Sequence, residues 1–354
     1  MRITAITPMK NEGPFMLEWL VYHRLIGFND FIVFTNDCTD GTEMMAERLD
    51  EMGLIRHLPN PSIFNRGKGG HHWAAMRYVN AMQRPRRSDW HANFDIDEFW
   101  CIHVGDGTLE ALFNAMPEAE VISACQFDFG TNGIDRFDPD KLQMEQFTQS
   151  IYRTNRELGV DRRRGLKSLV HRDTPIKAVG NHIPVIEPET EVRHYNGNGV
   201  RVPNDLLQTG EKSFTQSTMG LDMVQLNHYA LRAADNFFVK VDRGNANHHV
   251  ERQEMVRHWA RYFDKYEHNE VKDTAIQRHI PAVKEGIAEL LKDPELGALY
   301  KASVAWHLDA ADGLREQRNY VHLMKRMNDI REKRTTEAAK AAETQRGVST
   351  ATTE

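Results

Sequence analysis

Two hydrophobic patterns alternate along roughly the first 130 residues of the chain. Short apolar runs have the character of buried strands, and each is followed by a segment with apolar residues at helical spacing. The predicted strands are 2–6, 31–34, 54–58, 89–94 and 120–127. The predicted helices are 14–27, a segment that ends before Gly53, 70–82 and 108–116. This alternation predicts an α/β fold of the Rossmann-like kind, with a mostly parallel sheet and helices on both faces.

Three polar loops follow strands of this predicted sheet. They lie at residues 7–13, 35–42 and 95–98. Ligands of open α/β sheets bind outside the carboxyl ends of the strands. We therefore expect the three loops to meet at one edge of the sheet and to form a binding site there.

The hydrophobic pattern changes near residue 245. A helical segment begins at about residue 250, and its apolar face predicts burial against the sheet or a partner: Met255, Trp259, Tyr262, Phe263 and Tyr266. We predict a sheet-bearing domain at 1–245 and a helical region at 246–333. The last stretch, 334–354, has few apolar residues to offset the entropy of ordering and is expected to be a disordered tail.

Composition narrows the class of protein. A net charge of −6 over 354 residues does not favour a protein that holds nucleic acid by phosphate neutralisation. The three cysteines, Cys38, Cys101 and Cys125, are odd in number and lack metal-ligand spacing, which favours a reducing compartment. No apolar run has the length of a membrane span or the form of a signal peptide. We expect a cytoplasmic protein, with peripheral membrane contact if its acceptor resides in a membrane.

The stretch NFDIDEFW at 93–100 carries the clearest candidate chemistry. In an extended segment residues i and i+2 share a face, so Asp95 and Asp97 can point together while Ile96 turns to the core. Two carboxylates suit Mg²⁺ or Mn²⁺, which keep open positions for substrate phosphates. Without further context, a solvated turn is an equally good interpretation of the pattern.

A second cluster follows between residues 225 and 244. His228 is a candidate third ligand to the ion, and Lys240 and Arg243 are candidates to neutralise a diphosphate, where metal and cations stabilise growing negative charge. The alternative is a hydrogen-bonded core histidine and a solvated lysine. Nearer the N-terminus, the glycine-rich loop 65–73, with Lys68, opens a predicted helix and suits a phosphate, although a plain loop is as good an interpretation.

Several motifs together resemble a known family. They are KNEG at 10–13, EWLVYH at 18–23, NDCTDGT at 36–42, DIDEF at 95–99 and NHYA at 227–230. In this order and spacing, across about residues 1–280, the chain resembles the bacterial branch of family 2-like glycosyltransferases with a GT-A fold. The resemblance implies a metal-assisted, inverting sugar transferase whose catalytic domain is the sheet-bearing part, 1–245.

The resemblance also assigns roles to the loop residues. It implies that the donor is a nucleotide sugar, with uridine expected, held by Thr7, Asn11, Glu12, Asn36 and Asp37, together with Lys68, Asp95, Lys240 and Arg243. One position departs from the family, because Thr35 stands where an acidic residue is common and the acid is shifted to Asp37. The implied acceptor is a saccharide, a lipid-linked molecule or another hydroxyl compound.

An inverting transferase needs a general base within reach of the acceptor hydroxyl. Three residues qualify: Asp128 at the end of a predicted strand, His182 and Asp222. For each of them a turn-capping role is the competing interpretation. Two other functions also stay open, a sugar-phosphate nucleotidyltransferase and a non-catalytic carbohydrate-binding protein.

Overall fold

The computed structural model describes residues 1–61, 70–82, 85–154, 162–244 and 254–351. Side chains are described as far as residue 336, apart from that of residue 86. Within these ranges no helix combines the length and the apolar character needed to cross a membrane.

A central sheet organises the described chain. The strands are β1 (Ile3–Met9), β2 (Asp30–Thr35), β3 (Arg56–Pro59), β4 (Trp90–Asn93), β5 (Glu98–Ile102), β6 (Val121–Asp128), β7 (Gln149–Ser150), β8 (Arg164–His171), β9 (Ile176–Ala178), β10 (Val185–Ile186), β11 (His194–Asn196), β12 (Ser213–Phe214), β13 (Val224–His228) and β14 (Val271–Lys272). The main path through the sheet runs β3-β2-β1-β4-β8-β6-β13-β5.

Helices cover the sheet and form the C-terminal region. They are α1 (Gly13–Leu25), α2 (Thr42–Glu51), α3 (His71–Ala81), α4 (Leu109–Ala115), α5 (Gln143–Gln146), α6 (Asp205–Thr209), α7 (Ala234–Asp242), α8 (Met255–Tyr266), α9 (Ile280–Leu290), α10 (Pro294–Arg315) and α11 (Arg318–Ala351). Two short 3₁₀ segments lie at Pro85–Arg87 and Ala275–His279.

The predicted α/β class is confirmed, and the sheet is mixed. Strands β1 to β4 pair in parallel, as the alternating pattern predicts. Strand β8 then enters antiparallel between β4 and β6, and β5 runs antiparallel to β13. Neither β5 nor β8 was predicted, because neither belongs to the alternating strand and helix pattern of the first 130 or so residues.

The two faces of the sheet bury different sets of side chains. Along β2, Phe31 and Val33 belong to the large core under α1 and α2, whereas Ile32 and Phe34 join a smaller core under α3. Successive residues of a strand point to opposite faces, so a continuous apolar run is what a sheet covered on both sides requires. The helices fix the strand ends relative to one another, and with them the loops of the site.

The C-terminal helices are joined to the sheet domain. A second core forms between α7, α8, α10 and α11, and the predicted apolar face of α8 is buried there through Trp259 and Phe263. Strand β14 pairs with β7, so the region expected to be helical also contributes a strand. The predicted domain boundary at 245 lies outside the described residues.

The disordered tail expected at 334–354 stays a prediction. Helix α11 continues through residues 334–351. Ala, Glu, Lys, Arg and Gln, which dominate much of this segment, all favour helix. A lack of apolar residues is therefore compatible with a helix that projects beyond its packed part.

Candidate active site

One cavity of about 590 Å³ opens at the carboxyl ends of β1, β2 and β4. Residues from all three polar loops line it, including Lys10, Asn36, Asp95 and Asp97. The prediction that these loops meet at one edge is thus confirmed. The cavity continues past β6 and β13 to the aromatic face of α8.

The two aspartates reach the cavity from a turn rather than from an extended strand. Strand β4 ends at Asn93 and β5 begins at Glu98, and the Glu98 N–H donates to the Asp95 carbonyl oxygen at 3.0 Å. Both carboxylates line the cavity, as predicted. The reason differs from the predicted one, because a tight turn rather than strand alternation brings them to the same side.

Asp95 is held by a buried lysine that sequence reasoning missed. Lys167 of β8 is fully buried, and its Nζ lies 3.3 Å from Asp95 Oδ2 and 3.5 Å from Glu98 Oε2. Burial alone would raise the pKa of Asp95, but Lys167 together with His72 and His182 lowers it. The other oxygen, Asp95 Oδ1, accepts no hydrogen bond among the described residues, and His72 Nε2 lies 3.8 Å from it. One oxygen of Asp95 is therefore fixed and the other is left for a ligand.

Asp97 is paired with one of the predicted diphosphate cations. Lys240 Nζ donates to Asp97 Oδ2 at 2.8 Å and to the Ala230 carbonyl at 2.8 Å. Burial opposes ionisation of Asp97, but Lys240 and His228 together lower the pKa of the carboxyl well below its usual range. Asp97 is thus ionised at neutral pH.

Neighbouring strands bring His228 and Asp128 together. In the sheet, His228 of β13 lies opposite Asp128 of β6 and Glu98 of β5. His228 Nδ1 and Asp128 Oδ1 are 2.8 Å apart, and Arg162 donates to the other Asp128 oxygen at 3.4 Å. Burial opposes protonation of His228, but the bond to Asp128 and the charges of Asp97, Asp128 and Glu98 together raise its pKa. Because Asp128 occupies Nδ1, the ring offers Nε2 to a ligand, as histidines in carboxylate-oriented metal sites do.

Glu12 forms ion pairs with two arginines. It is buried, and its carboxylate lies 2.7 Å from Arg232 and 2.6 Å from Arg243. Burial would raise the pKa of Glu12, and the two guanidinium groups lower it instead. Arg243 also donates to the carbonyl oxygens of Lys10 and Asn11. Arg243 and Glu12 both line the cavity, as predicted, but Glu12 is committed to holding the arginines.

The remaining predicted donor residues divide in two groups. Asn36 lines the cavity. Thr7, Asn11 and Asp37 do not: Thr7 is buried behind the wall, Asn11 bonds to Thr39 at 2.8 Å and 3.0 Å, and Asp37 is exposed with a φ of 47°. The structure therefore places these three around the loops rather than at the cavity surface.

The glycine-rich loop is only partly described. Lys68 lies outside the described residues. The helix that the loop opens, α3, presents His71 and His72 to the cavity at its N-terminus. Adjacent helical residues were expected to face different directions, and at this first turn both nonetheless reach the cavity.

Of the three candidate bases, only His182 lines the cavity. Its Nδ1 lies 3.0 Å from the Leu166 carbonyl oxygen, which can only accept, so Nδ1 carries the proton and the neutral ring keeps Nε2 free. Burial lowers its pKa to about 4, aided by Lys167. Asp128 is committed to His228 and Arg162, and Asp222 is three-quarters exposed and away from the cavity.

A divalent cation fits this site only as a partly open one. Among the described side chains, no group of three His, Cys, Asp or Glu residues is placed to hold a metal. The predicted trio lines one cavity, but Asp97 and His228 are each paired with another side chain. Asp95 Oδ1, which accepts no hydrogen bond among the described residues, favours an ion nonetheless, since Mg²⁺ and Mn²⁺ are commonly bound by one or two carboxylates plus substrate phosphates.

Sequence comparison decides the family. The family model "Glycosyltransferase family 92" matches residues 3–276, about three-quarters of the chain and all the strands of the sheet. The chain belongs to glycosyltransferase family 92. The motifs resemble family 2, so the broader prediction of a glycosyltransferase family is confirmed, and the family number is 92.

Two plant members of family 92 illustrate the distance to known relatives. A protein of Arabidopsis thaliana is 28% identical over 100 residues, which are 28% of this chain and 16% of the relative. One of Oryza sativa subsp. japonica is 30% identical over 140 residues, covering 36% of this chain and 21% of the relative. The match thus spans about a fifth or less of either plant protein.

Solved structures offer a remote likeness to this family 92 chain. S. aureus TarS has a TM-score of 0.33 at 12% identity, over 75% of this chain and 43% of TarS. TarS 1–349 in complex with UDP has a TM-score of 0.31 at 12% identity, over 89% and 90% of the two chains. Glucosyl-3-phosphoglycerate synthase of Mycobacterium tuberculosis scores 0.26. At these scores the family assignment rests on the sequence match alone.

The ion pairs of Glu12 give a prediction about stability. Glu12→Ala leaves two cations, Arg232 and Arg243, without their shared carboxylate, and should lower the free energy of unfolding by about 3–5 kcal/mol. Glu51→Ala is the matched control, since Glu51 pairs with Arg48 on the surface and should cost less than about 1 kcal/mol. Chemical denaturation measures both. Equal losses of unfolding free energy in the two variants would show that the buried ion pairs of Glu12 do not contribute more to stability than a surface pair.

Proposed function

We propose that this chain transfers a sugar, with inversion, from a uridine diphosphate sugar to a hydroxyl acceptor, and that it does so in the cavity between the sheet edge and α8. The observation that carries the proposal is the pair Asp95 and Asp97 in the same cavity as Lys240 and Arg243. Carboxylates suited to a divalent ion beside fixed cations match what a departing diphosphate requires. Membership of family 92 supports the same reaction class.

The donor fits the cavity in one direction. Lys10, Asn36 and His71 line the end at β1 and β2, which we assign to the base and ribose. Lys240 and Arg243 come next, where they meet the diphosphate. Because these cations are already held by Asp97 and Glu12, they need little reorganisation as charge grows on the leaving group.

Mn²⁺ or Mg²⁺ would be held by Asp95 and Asp97, with His228 Nε2 as a further ligand, and when bound it would neutralise the leaving diphosphate. The chain's own residues prepare that site. Lys167 fixes one oxygen of Asp95, and Asp128 fixes the orientation of the His228 ring. Asp128 is thus a positioning residue in this proposal rather than the general base.

His182 takes the role of the general base. Its Nε2 is free to accept a proton, and its low pKa keeps the ring neutral at physiological pH. It lines the cavity on the side of β8 and β6, beyond the aspartates as seen from Asn36. An acceptor hydroxyl that loses its proton to His182 attacks the anomeric carbon as the bond to the diphosphate breaks.

The two alternative functions fit less well. A nucleotidyltransferase is expected to bind its triphosphate on a basic, glycine-rich loop after the first strand. In this chain that loop directs the carbonyl oxygens of Lys10 and Asn11 to Arg243, which is the opposite polarity to a phosphate cradle. A non-catalytic carbohydrate-binding protein does not require the partly buried cations at the diphosphate position.

The reaction is tested by incubating the full chain with Mn²⁺ and a panel of nucleotide sugars and measuring released nucleoside diphosphate. Uridine donors should give the fastest release, and Asp97→Asn should slow it by about 100-fold because an ion ligand is lost. Asp222→Asn is the control, since Asp222 is exposed and outside the cavity. Pyrophosphate release from a sugar phosphate and a nucleoside triphosphate would identify a nucleotidyltransferase instead, and no turnover with any donor would favour the binding protein.

The assignment of the base has its own prediction. His182→Ala should reduce transfer by about 100-fold, within the usual contribution of general base catalysis, with UDP affinity by calorimetry unchanged. His322→Ala, on the exposed side of α11, is the control and should behave as wild type. Full transfer activity in the His182 variant would exclude it as the base, and loss of UDP affinity would place it in the donor site.

A further inference from the structure

We propose that Tyr262 and Tyr266 of α8 form the acceptor site and that the acceptor is a saccharide whose ring stacks on these two side chains. This inference rests on the proposed sugar transfer and names the class of its acceptor. Nothing in the sequence motifs points to these residues, which were expected only to be covered by the sheet domain or a partner. The structure instead has them lining the cavity together with Trp259.

The two tyrosines contact the catalytic groups directly. The Tyr266 ring meets the His228 ring edge to face, with centroids 5.1 Å apart. Lys240 Nζ lies 5.5 Å from the centroid of the Tyr262 ring, and the two tyrosine rings are 4.8 Å apart. A molecule resting on these rings therefore lies next to the residues assigned to the ion and the diphosphate.

Their place in the sheet order separates them from the nucleotide end. Asn36 follows β2, whereas His228, beneath Tyr266, ends β13. These strands are five steps apart in the order β2-β1-β4-β8-β6-β13, so different strands form the two ends of the cavity. A donor whose base lies at Asn36 and whose diphosphate lies at Lys240 leaves the tyrosine end for the acceptor.

The hydroxyl groups of the two rings are available to a ligand. Among the described residues, Tyr22, Tyr229 and Tyr320 all use their hydroxyl in a hydrogen bond with the protein. For Tyr262 and Tyr266 no such bond is found within the described ranges, although Tyr266 is only 9% exposed. Within the described residues, neither hydroxyl is a buried polar atom without a partner, so both are accessible to a hydrogen-bonding group of a bound molecule.

The combination of two aromatic rings and two available hydroxyl groups favours one class of ligand. The C–H bonds on one face of a sugar ring pack against the electron-rich face of an aromatic ring, and the sugar hydroxyls take hydrogen bonds from groups at its edge. A flat apolar ligand would use the rings and leave the phenol hydroxyls unpaired. An aliphatic chain would neither stack flat on the rings nor form hydrogen bonds with the hydroxyl groups. A saccharide satisfies both parts of the surface.

The test compares three variants of the full chain with wild type. Tyr262→Leu/Tyr266→Leu removes both rings, and Tyr262→Phe/Tyr266→Phe removes only the hydroxyls. Tyr320→Leu is the matched control, because Tyr320 is a buried tyrosine of the same helical region that packs on Phe238 away from the cavity. Melting temperature shows whether the leucine changes cost similar stability.

The readouts separate acceptor binding from donor chemistry. Binding of the labelled chains to a printed array of oligosaccharides should be seen for wild type and Tyr320→Leu, and lost in the double leucine variant. With a bound oligosaccharide as acceptor, KM should rise at least about tenfold in the double leucine variant and severalfold in the double phenylalanine variant. In Tyr320→Leu, donor hydrolysis without acceptor should stay within about twofold of wild type.

Three results would overturn the inference. They are a wild-type chain that binds no saccharide on the array, a double leucine variant that binds and transfers as wild type does, and a variant that loses UDP affinity together with acceptor binding. Failure of the proposed function looks different, because wild type would then release no nucleoside diphosphate from any donor while saccharide binding on the array still reports on the tyrosines.

Discussion

Neutralisation of buried carboxylates is the constraint on which this structure depends. Glu12, Asp97, Glu98 and Asp128 are all at least nine-tenths buried at one edge of the sheet, with Asp95 beside them. An unpaired buried charge costs several kcal/mol, so each carboxylate that stays ionised needs a cation within reach. The chain supplies them from distant segments: Lys167, Arg162, Arg232, Lys240 and Arg243. Folding of the edge and placement of these cations are therefore one event.

The same pairing explains how a site for a diphosphate can exist before the substrate arrives. Lys240 and Arg243 are fixed by Asp97 and Glu12, and both still line the cavity. Their positive charges are thus fixed at the place where the negative charge of a leaving diphosphate would develop. On the far side, α8 closes the cavity with its aromatic face, and the C-terminal core holds that helix against α7. The sheet domain supplies the charges, and the helical region supplies the other wall.

Local patterns predicted the parallel half of the fold and much of the site, because both depend on neighbours in the sequence. Asp95, Asp97, His228 and Lys240 all line the cavity as expected. The features that were missed depend on contacts between residues that are far apart in the sequence. Lys167 reads as a solvent-facing lysine until β8 is placed beside Asp95, and Asp128 reads as a free carboxylate until β13 brings His228, 100 residues away, to 2.8 Å. The pairing of distant strands cannot be predicted from neighbouring residues in the sequence. The helical spacing of α8 can be predicted, but it does not show which aromatic rings face a cavity.

The direction in which a nucleotide lies in the cavity tests the central claim most directly. Crystals of the full chain grown with UDP and Mn²⁺ would show it by diffraction, with the anomalous signal locating the ion. The account predicts the uracil and ribose at Lys10 and Asn36, the diphosphate at Lys240 and Arg243, and the ion on Asp95 and Asp97. A nucleotide stacked on Tyr262 and Tyr266, or an ion bound away from both aspartates, would contradict it.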